Sequence, residues 1–590
     1  RKLIEIELGG EHRGHERELY TSTWAQDYRV SPDGKWVAFV ERFNVHVAPL
    51  VRTGRTIAVG PSTTAIPVQR VGKDAGWHVH FSGDSKRLHW SLGPTLFTRE
   101  LADSFAFLDG APEKAPDLTA EGVDIGFTFP HDKPETTIAL VGGTVYTMDP
   151  DAEDFGRIEN ATVLIEGNRI TAVGPRGGVR VPRGAEVIDV SGQIVLPGFL
   201  EAHAHGPMAI HGITPQHNWV NAVRLAFGVT TVHDPSNDTA SIFSSSEMTM
   251  SGANVGPRTF STGTILYGAA GGFAAPVESY DDALFHLRRM QAVGAWSVKS
   301  YNQPRRDQRQ QVVEGARELG MMVVPEGGST FMHNLTMIVD GHTGIEHTFP
   351  VEIVYDDVLQ LWKPEPDRGL ASVGVGYTPT LSVAYGGLTG EIYWYQQDEL
   401  WKHGKLRSFV PPEIIIPRAR RRLMAPREDF NHFLCARITK QAIDIGIPVQ
   451  PGGHGQMPGL NTHWEIWMMA QGGMSNLEAL RSGTYDGARH LGLDRDLGSI
   501  TPGKLADLVI IQPGRDPTRE IRDTEFIQWT IANGRVYNAK TMAERQPGGE
   551  LAPAPRFYWM DPNYAPSSVP PAFAGCEGCG YPTACSWGHP

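Results

Sequence analysis

The sequence predicts an α/β fold in which a TIM-like (β/α)8 barrel is joined to two all-β parts. Short apolar strands alternate with helical segments over residues 201–497, a pattern typical of a parallel barrel. Strand-rich segments at 136–200 and 498–545 flank that region and predict one small composite β-sandwich. Residues 1–130 alternate short strands with turn signals, which predicts a partial, all-β propeller.

The composition limits the possible partners. The 590 residues include 66 acidic and 53 basic side chains, and this acidic surplus argues against a nucleic-acid partner. No apolar run approaches the ~20 residues that a membrane span requires. The chain begins with Arg1 rather than Met, so the lack of a signal pattern at its start decides nothing about export.

The propeller prediction rests on an internal repeat. The segment that begins Ser31-Pro-Asp-Gly is matched by Ser82-Gly-Asp-Ser, and each leads into a strand. A tight turn and strand repeated about every 50 residues is typical of propeller blades. Two or three blades cannot close a ring, so we expect further blades on a removed or separate segment, and hence a partner fragment or a homo-oligomer. The alternative is a small independent β-domain.

The flanks of the barrel region predict strands that share one sheet. Gly167-Asn168 lies between two strand patterns and predicts a hairpin. Downstream, residues 498–511 and 529–537 contain similar strand patterns. Because such strands stand on both sides of the barrel region, we expect the two ends of that region to form one sheet.

Residues with metal-binding chemistry follow the predicted strands, where a barrel carries its chemistry. His203 and His205 form a His-X-His pair after a hydrophobic strand. Side chains at i and i+2 of an extended strand point to one face, so two neutral imidazoles can bind one divalent cation. The ends of the later strands bear the following candidates: Asp234, Lys299, Tyr301, Asn302, Glu326, His347, His454 and Gln456. Tyr377 is a further candidate near the expected cleft.

Four short segments of the sequence resemble motifs of the amidohydrolase superfamily. They are residues 197–205 (PGFLEAHAH), Val298-Lys299, Ile345-Glu346-His347 and residues 503–509 (GKLADLV). The resemblance covers roughly residues 136–545 and is nearest to bacterial fusions of a TolB-like propeller with an amidohydrolase barrel, near the prolidase and imidazolonepropionase branches. It implies a periplasmic or secreted location, although a cytoplasmic one stays open.

The resemblance also implies a site. His203 and His205 would hold one divalent metal, and His347 a second. Lys299 would be carbamylated and would bridge the two. Zinc is the expected metal, one or two per chain, with manganese or iron as alternatives. The implied activity is hydrolysis of an amide or other C–N bond, in a peptide-like or cyclic substrate, by a metal-activated water.

Two positions depart from the family pattern. Glu326 stands where a histidine is usual, and His454 stands where the catalytic aspartate is usual. Either His454 is the general base and Glu326 a ligand, or Glu326 is the base and His454 a ligand. A third alternative is impaired hydrolysis, as in a non-catalytic metal-binding scaffold. A fourth is a metalloenzyme of altered chemistry, such as a lactonase, lyase or isomerase.

The remaining candidates have supporting roles. Asp234 is expected either to orient a ligand imidazole or to form a turn before Pro235. Four further residues are candidates for substrate binding, and structural hydrogen bonding is the alternative role for each. They are Tyr301, Asn302, Tyr377 and Gln456.

The C-terminal tail, residues 546–590, is Pro-rich and contains Cys576, Cys579 and Cys585. With His589 these thiols could bind zinc or copper. We favour a disulfide with a spare thiol. Cys435 stands alone in a helical pattern, and we expect it in the core.

Overall fold

The computed structural model describes residues 1–209, 212–268, 274–301, 303–327, 330–349, 356–363, 375–561 and 563–564. The chain folds into two compact units. Unit 1 contains residues 1–128 and 264–321, and unit 2 contains residues 129–263 and 322–590. Within the described ranges, no helix has the length and apolarity needed to cross a membrane. The tail cysteines Cys576, Cys579 and Cys585 lie outside these ranges.

The strands are β1 Lys2–Ile6, β2 Glu16–Thr21, β3 Ala25–Val30, β4 Trp36–Glu41, β5 Asn44–Pro49, β6 Ile57–Ala58, β7 Gln69–Arg70, β8 Trp77–Phe81, β9 Arg87–Leu92, β10 Thr95–Glu100, β11 Val123–Asp124, β12 Thr137–Tyr146, β13 Arg157–Glu166, β14 Arg169–Pro175, β15 Glu186–Asp189, β16 Ile194–Pro197, β17 Phe199–Glu201, β18 Val229–Asp234, β19 Arg258–Ser261, β20 Leu266–Tyr267, β21 Ser297–Val298, β22 Ser300–Tyr301, β23 Met322–Val323, β24 Gly344–Glu346, β25 Gly376–Thr378, β26 Leu508–Ile511, β27 Ile527–Ala532 and β28 Arg535–Asn538. The helices are α1 Trp219–Ala226, α2 Thr239–Met250, α3 Tyr280–Gln291, α4 Arg306–Glu318, α5 Phe331–Asp340, α6 Asp356–Trp362, α7 Gly390–Gln397, α8 Gly404–Phe409, α9 Pro412–Ala419, α10 His432–Asp444, α11 Leu460–Gln471, α12 Asn476–Arg481 and α13 Gly487–His490.

Unit 1 contains two four-stranded antiparallel sheets, ordered β3-β4-β5-β7 and β11-β10-β9-β8. The repeat seen in the sequence forms equivalent turns in both. The Ser31 hydroxyl donates to Asp33 Oδ1 over 2.6 Å, and the Ser82 hydroxyl donates to Asp84 Oδ1 over 2.5 Å. Both turns therefore owe their shape to one Ser-X-Asp hydrogen bond.

In unit 2, strands from the two flanks pair in a single sheet of order β14-β13-β12-β16-β26-β27-β28, with β15 added beside β12. The flanks meet where Val195 of β16 lies opposite Ile510 of β26 in an antiparallel pair. Both side chains are fully buried. Gly167, in the turn between β13 and β14, has a φ of +61°, which glycine adopts without steric cost.

The α/β part of unit 2 brings strand ends together. Strand β17 pairs in parallel with β18, which pairs in parallel with β19, and β24 pairs in parallel with β25. The Ala202 N–H donates to the Pro451 carbonyl over 2.9 Å, which joins the first strand end to the last. This is an α/β fold with mixed sheets. Among the described residues the pairings do not form one closed sheet, so the closed barrel remains a prediction.

Local signals explain several helices. The Ser475 hydroxyl accepts from the Glu478 N–H and the Glu478 carboxylate accepts from the Ser475 N–H, so the predicted capping box opens α12. Gly320, with a φ of +66°, follows the end of α4 as expected. Cys435 is a buried free thiol in α10, in agreement with a core position.

Candidate metal centre

The His-X-His pair follows β17 and its imidazoles converge. His203 and His205 are both buried, and their Nε2 atoms lie 3.1 Å apart. Their rings are nearly perpendicular, with an interplanar angle of 86°. The pairing of Ala202 with Pro451 and of Ala204 with His233 through backbone hydrogen bonds holds this segment between two strand ends.

A buried carboxylate orients His203. Glu346 ends β24, and its Oε2 lies 2.5 Å from His203 Nδ1. Its other oxygen, Oε1, accepts from the Thr378 hydroxyl over 3.2 Å. The carboxylate is thereby fixed on both oxygens, and it is placed to accept a hydrogen bond from a protonated Nδ1 of His203.

A second buried carboxylate, that of Asp234, orients His205. Its Oδ1 lies 3.1 Å from His205 Nδ1, and its Oδ2 accepts from the Asn237 amide over 2.7 Å. An imidazole that donates from Nδ1 to a carboxylate has an Nε2 lone pair that can bind a cation, so the two carboxylates favour metal binding through Nε2.

His347 belongs to the same cluster. It follows β24 with a φ of +70°, a left-handed conformation that is costly for a residue with a Cβ. Its Nδ1 lies 2.7 Å from the Thr380 hydroxyl, and its Nε2 lies 2.8 Å from Glu326 Oε1. Glu326 is paired through its backbone with Glu346 in a parallel bridge, which explains why it reaches this point.

His454 is carried by a glycine-rich loop that lies against the His-X-His segment. Its N–H donates to the His203 carbonyl over 2.8 Å, and its φ is +55°. A Cβ on Gly452 would lie 2.8 Å from the Cβ of His203, and one on Gly455 would lie 2.6 Å from the His205 carbonyl oxygen. Glycine is therefore required on both sides of His454 for this close approach.

The four imidazoles form one cluster. One nitrogen from each of His203, His347 and His454 lies within 4.8 Å of the others. His454 lies 5.0 Å from His203 and 4.9 Å from His205 between ring centres. In tetrahedral zinc, bonds of ~2.0–2.1 Å separate the ligand nitrogens by ~3.3 Å, close to the observed Nε2–Nε2 distance. The donor set and its spacing fit a divalent cation.

Two buried groups that can carry opposite charges, Arg224 and Glu201, lie behind this arrangement. Arg224 of α1 donates to the His205 carbonyl over 3.0 Å. Burial lowers the pKa of Arg224, and burial raises the pKa of Glu201, an effect that the charge of Arg224 opposes. The two groups are thus coupled next to the metal-binding segment.

The other predicted site residues have different surroundings. Lys299 and Tyr301 are part of unit 1, where Lys299 is buried with its Nζ 5.3 Å from the centre of the Tyr301 ring. Asn302 lies outside the described residues. Tyr377 is fully buried, and its hydroxyl accepts from the Phe349 N–H over 3.4 Å.

Gln456 is held close to the cluster by a basic residue of α9. Arg418 donates to Gln456 Oε1 over 3.0 Å and also donates to the Gln456 carbonyl oxygen. This pair positions the loop that carries His454. Gln456 is buried, so its amide acts first as an anchor of the loop.

Sequence reasoning gave no role to three residues of this centre. Glu346 directly precedes His347 in the Ile-Glu-His motif, and that adjacency was the available signal. Thr380, with a φ of +45°, had no signal in the sequence. Tyr385 is 36% exposed, and its ring centre lies 5.7 Å from that of His347, so it borders the cluster.

Comparison with known proteins provides a family for one segment. Residues 455–537 match the family described as the amidohydrolase family. A 5-methylthioadenosine/S-adenosylhomocysteine deaminase of Symbiobacterium thermophilum is 41% identical over 73 residues, which are 12% of this chain and 16% of that protein. An imidazolonepropionase of Anaeromyxobacter dehalogenans is 36% identical over 76 residues, 12% of this chain and 18% of that protein. The chain therefore spans under a fifth of the length of these relatives.

Solved structures share the fold over a larger region. A Xaa-Pro dipeptidase with methionine bound in its active site superposes with a TM-score of 0.51 and 20% identity, over 68% of this chain and 100% of that chain. The clustered histidines His203, His205, His347 and His454 precede the segment that matches the family, so their assignment rests on their geometry. Residues 455–537 are thus similar to the amidohydrolase family, and the superposition shows a shared fold over 68% of this chain.

Proposed function

We propose that this protein is a metal-dependent hydrolase that cleaves an amide or another C–N bond. The observation that carries the proposal is the convergence of His203 and His205, whose Nε2 atoms lie 3.1 Å apart while carboxylates hold both Nδ1 atoms. This arrangement lies in a domain with an amidohydrolase fold. His347 and His454 complete a cluster of imidazole nitrogens suited to a divalent cation.

Zinc is the metal that we propose, since imidazole nitrogens are ordinary zinc ligands and the proposed hydrolysis needs no redox chemistry. When bound, such a cation polarises a substrate carbonyl and makes water acidic enough to act as a nucleophile near neutral pH. His203, His205, His347 and His454 would hold it. One or two ions per chain fit the extent of the cluster.

Glu326 is the residue that we assign to proton transfer. Its side chain is 13% exposed, so a substrate can reach it, and its Oε1 lies 2.8 Å from His347 Nε2. The carboxylate would take a proton from the attacking water and deliver it to the leaving nitrogen. His454 groups with His203 and His347 as a possible ligand, which supports Glu326 over His454 as the base.

The proposed substrate is a small peptide-like or cyclic amide. The support comes from the names of similar proteins, a Xaa-Pro dipeptidase among the structures and an imidazolonepropionase among the relatives. Both names are consistent with a C–N bond as the reacting group.

We also propose three finer features. The strands within residues 201–497 would form a closed (β/α)8 barrel, and the two repeated sheets of unit 1 would be TolB-like propeller blades. Lys299 would be a carbamylated ligand, and its burial at a strand end supports this. Mass spectrometry of the intact protein under bicarbonate should show a mass increase of one CO2, which the Lys299→Ala variant should lack.

The experiment that tests the function measures hydrolysis of a panel of dipeptides and cyclic amides by zinc-loaded protein. We expect turnover by the wild type, and a loss of at least about 100-fold in kcat for Glu326→Gln, with zinc still bound. Glu391→Gln, a buried glutamate that instead binds the Tyr395 hydroxyl, is the matched control and should retain turnover. Zinc-loaded protein that hydrolyses none of the panel, or a fully active Glu326→Gln variant, contradicts the proposal.

A further inference from the structure

Helix α11 is buried along most of its length although it is not wholly apolar. Each residue from Leu460 to Met469 is buried, and the helix bears polar side chains at Asn461, Thr462 and Glu465. A buried polar group is costly unless it has hydrogen-bond partners. The partners of these three side chains lie on segments that carry cluster histidines or on the turn beside Thr380, which contacts His347.

Glu465 holds the turn that orients His347. Its Oε2 accepts from the Leu381 N–H over 2.9 Å, and its Oε1 accepts from the Ser382 N–H over 2.7 Å. The Ser382 hydroxyl also donates to Oε1 over 2.6 Å. The preceding residue, Thr380, has the left-handed φ of +45° and contacts His347 Nδ1.

Asn461 and Thr462 hold the other two segments. The Asn461 amide donates to the Gly453 carbonyl, one residue before His454. The Thr462 hydroxyl donates to Glu201 Oε2 over 2.9 Å, two residues before His203. Residues four apart share a helix face, so Asn461 and Glu465 both reach the 381–382 turn, where Asn461 Oδ1 lies 2.9 Å from the Ser382 hydroxyl.

We propose that Glu465, with Asn461, is a positioning residue of the metal centre. Through the 381–382 turn it keeps Thr380 in the conformation that orients His347, and α11 as a whole joins this turn to the segments that carry His203 and His454. The consequence is that zinc affinity depends on Glu465 although its carboxylate binds the turn rather than the metal. This inference rests on the proposed function.

The strained backbone explains why such a clamp is needed. Both Thr380 and His347 have positive φ values, which persist only where the surroundings enforce them. Three donors on one carboxylate enforce the turn from outside the cluster. Without them the turn can relax, Thr380 leaves His347 Nδ1, and the imidazole loses its fixed orientation.

The test compares Glu465→Gln with the control Glu391→Gln, which neutralises a buried carboxylate of α7 that accepts from the Tyr395 hydroxyl. Zinc dissociation constants are measured by competition with a chromophoric chelator, and the Tm of the metal-free protein is measured in parallel. We expect Glu465→Gln to weaken zinc binding about tenfold or more. Glu391→Gln should stay within about twofold of the wild type even if its Tm falls equally, because a purely structural loss does not move the affinity.

Two further variants keep the test decisive if Glu465→Gln does not fold. Ser382→Ala removes only the shared hydroxyl, and Asn461→Asp keeps the acceptor for Ser382 but removes the donor to Gly453. Each should weaken zinc binding several-fold. Wild-type affinity in the folded variants overturns the inference and leaves the proposed function standing, whereas a wild type that binds no zinc contradicts both.

Discussion

The carboxylate that orients His203 offers a quantitative test of the metal centre. In Glu346→Gln the side chain keeps its volume, and an amide oxygen can still accept from His203 Nδ1, where the carboxylate oxygen now lies at 2.5 Å. The charge is lost. Hydrogen bonds to charged groups contribute ~1.5–3 kcal/mol and are roughly twice as strong as neutral ones, so we expect a loss of about 1–1.5 kcal/mol. This corresponds to about a tenfold rise in the Kd for zinc.

The assay is zinc titration against a chromophoric chelator, with Glu391→Gln again as the control. Glu346 and Glu391 are both buried glutamates, so a general effect of losing a buried charge would appear in both variants. The reasoning is refuted if Glu346→Gln binds zinc as the wild type does while His203→Ala does not bind it. That result would mean that His203 keeps its orientation without the carboxylate.

Three other predictions follow from the structure. Burial raises the pKa of Glu465 from 4.5 to about 7, so between these pH values the folded state holds a proton that the unfolded state releases. The free energy of unfolding should therefore fall as the pH rises from 4.5 to 7, and in urea titrations Glu465→Gln should lack this fall. Gly452→Ala should lower both zinc affinity and Tm, because the added Cβ would lie 2.8 Å from the Cβ of His203. Its control, Gly446→Ala, should lower Tm alone, because Gly446 has a φ of +87° but no atom lies within 4 Å of the added Cβ. Ile510→Ala, which empties a fully buried position where the two flanks join, should cost ~2–5 kcal/mol of unfolding free energy and leave the zinc Kd unchanged.

Much of the α/β architecture could be predicted because it rests on local patterns. The hairpin at Gly167-Asn168 and the capping box at Ser475 depend on a few neighbouring residues, and both are present. The His-X-His pair was predictable for the same reason, since a strand of period two places His203 and His205 on one face. The joining of β16 to β26 followed from strand patterns on both sides of the barrel region.

The features that sequence reasoning missed depend on contacts between distant segments. Glu346 orients His203 from 143 positions away, and its adjacency to His347 in the Ile-Glu-His motif does not reveal that its partner is His203. Thr380 reaches His347 only through a left-handed turn, a conformation that threonine does not favour on its own. The grouping of residues 264–321 with residues 1–128 in unit 1 also depends on contacts between distant segments. One example is Arg289, whose guanidinium lies 3.7 Å from the centre of the Phe43 ring.

The central claim is that the clustered histidines bind a divalent metal. The most direct measurement is the metal content per chain, by mass spectrometry, of protein purified without added metal, for the wild type and for His203→Ala. We predict one or two equivalents of a divalent metal, zinc foremost, in the wild type, and a clear loss in the variant. A wild type that contains no metal and takes up none from excess zinc, or a His203→Ala variant with unchanged content, would contradict the account.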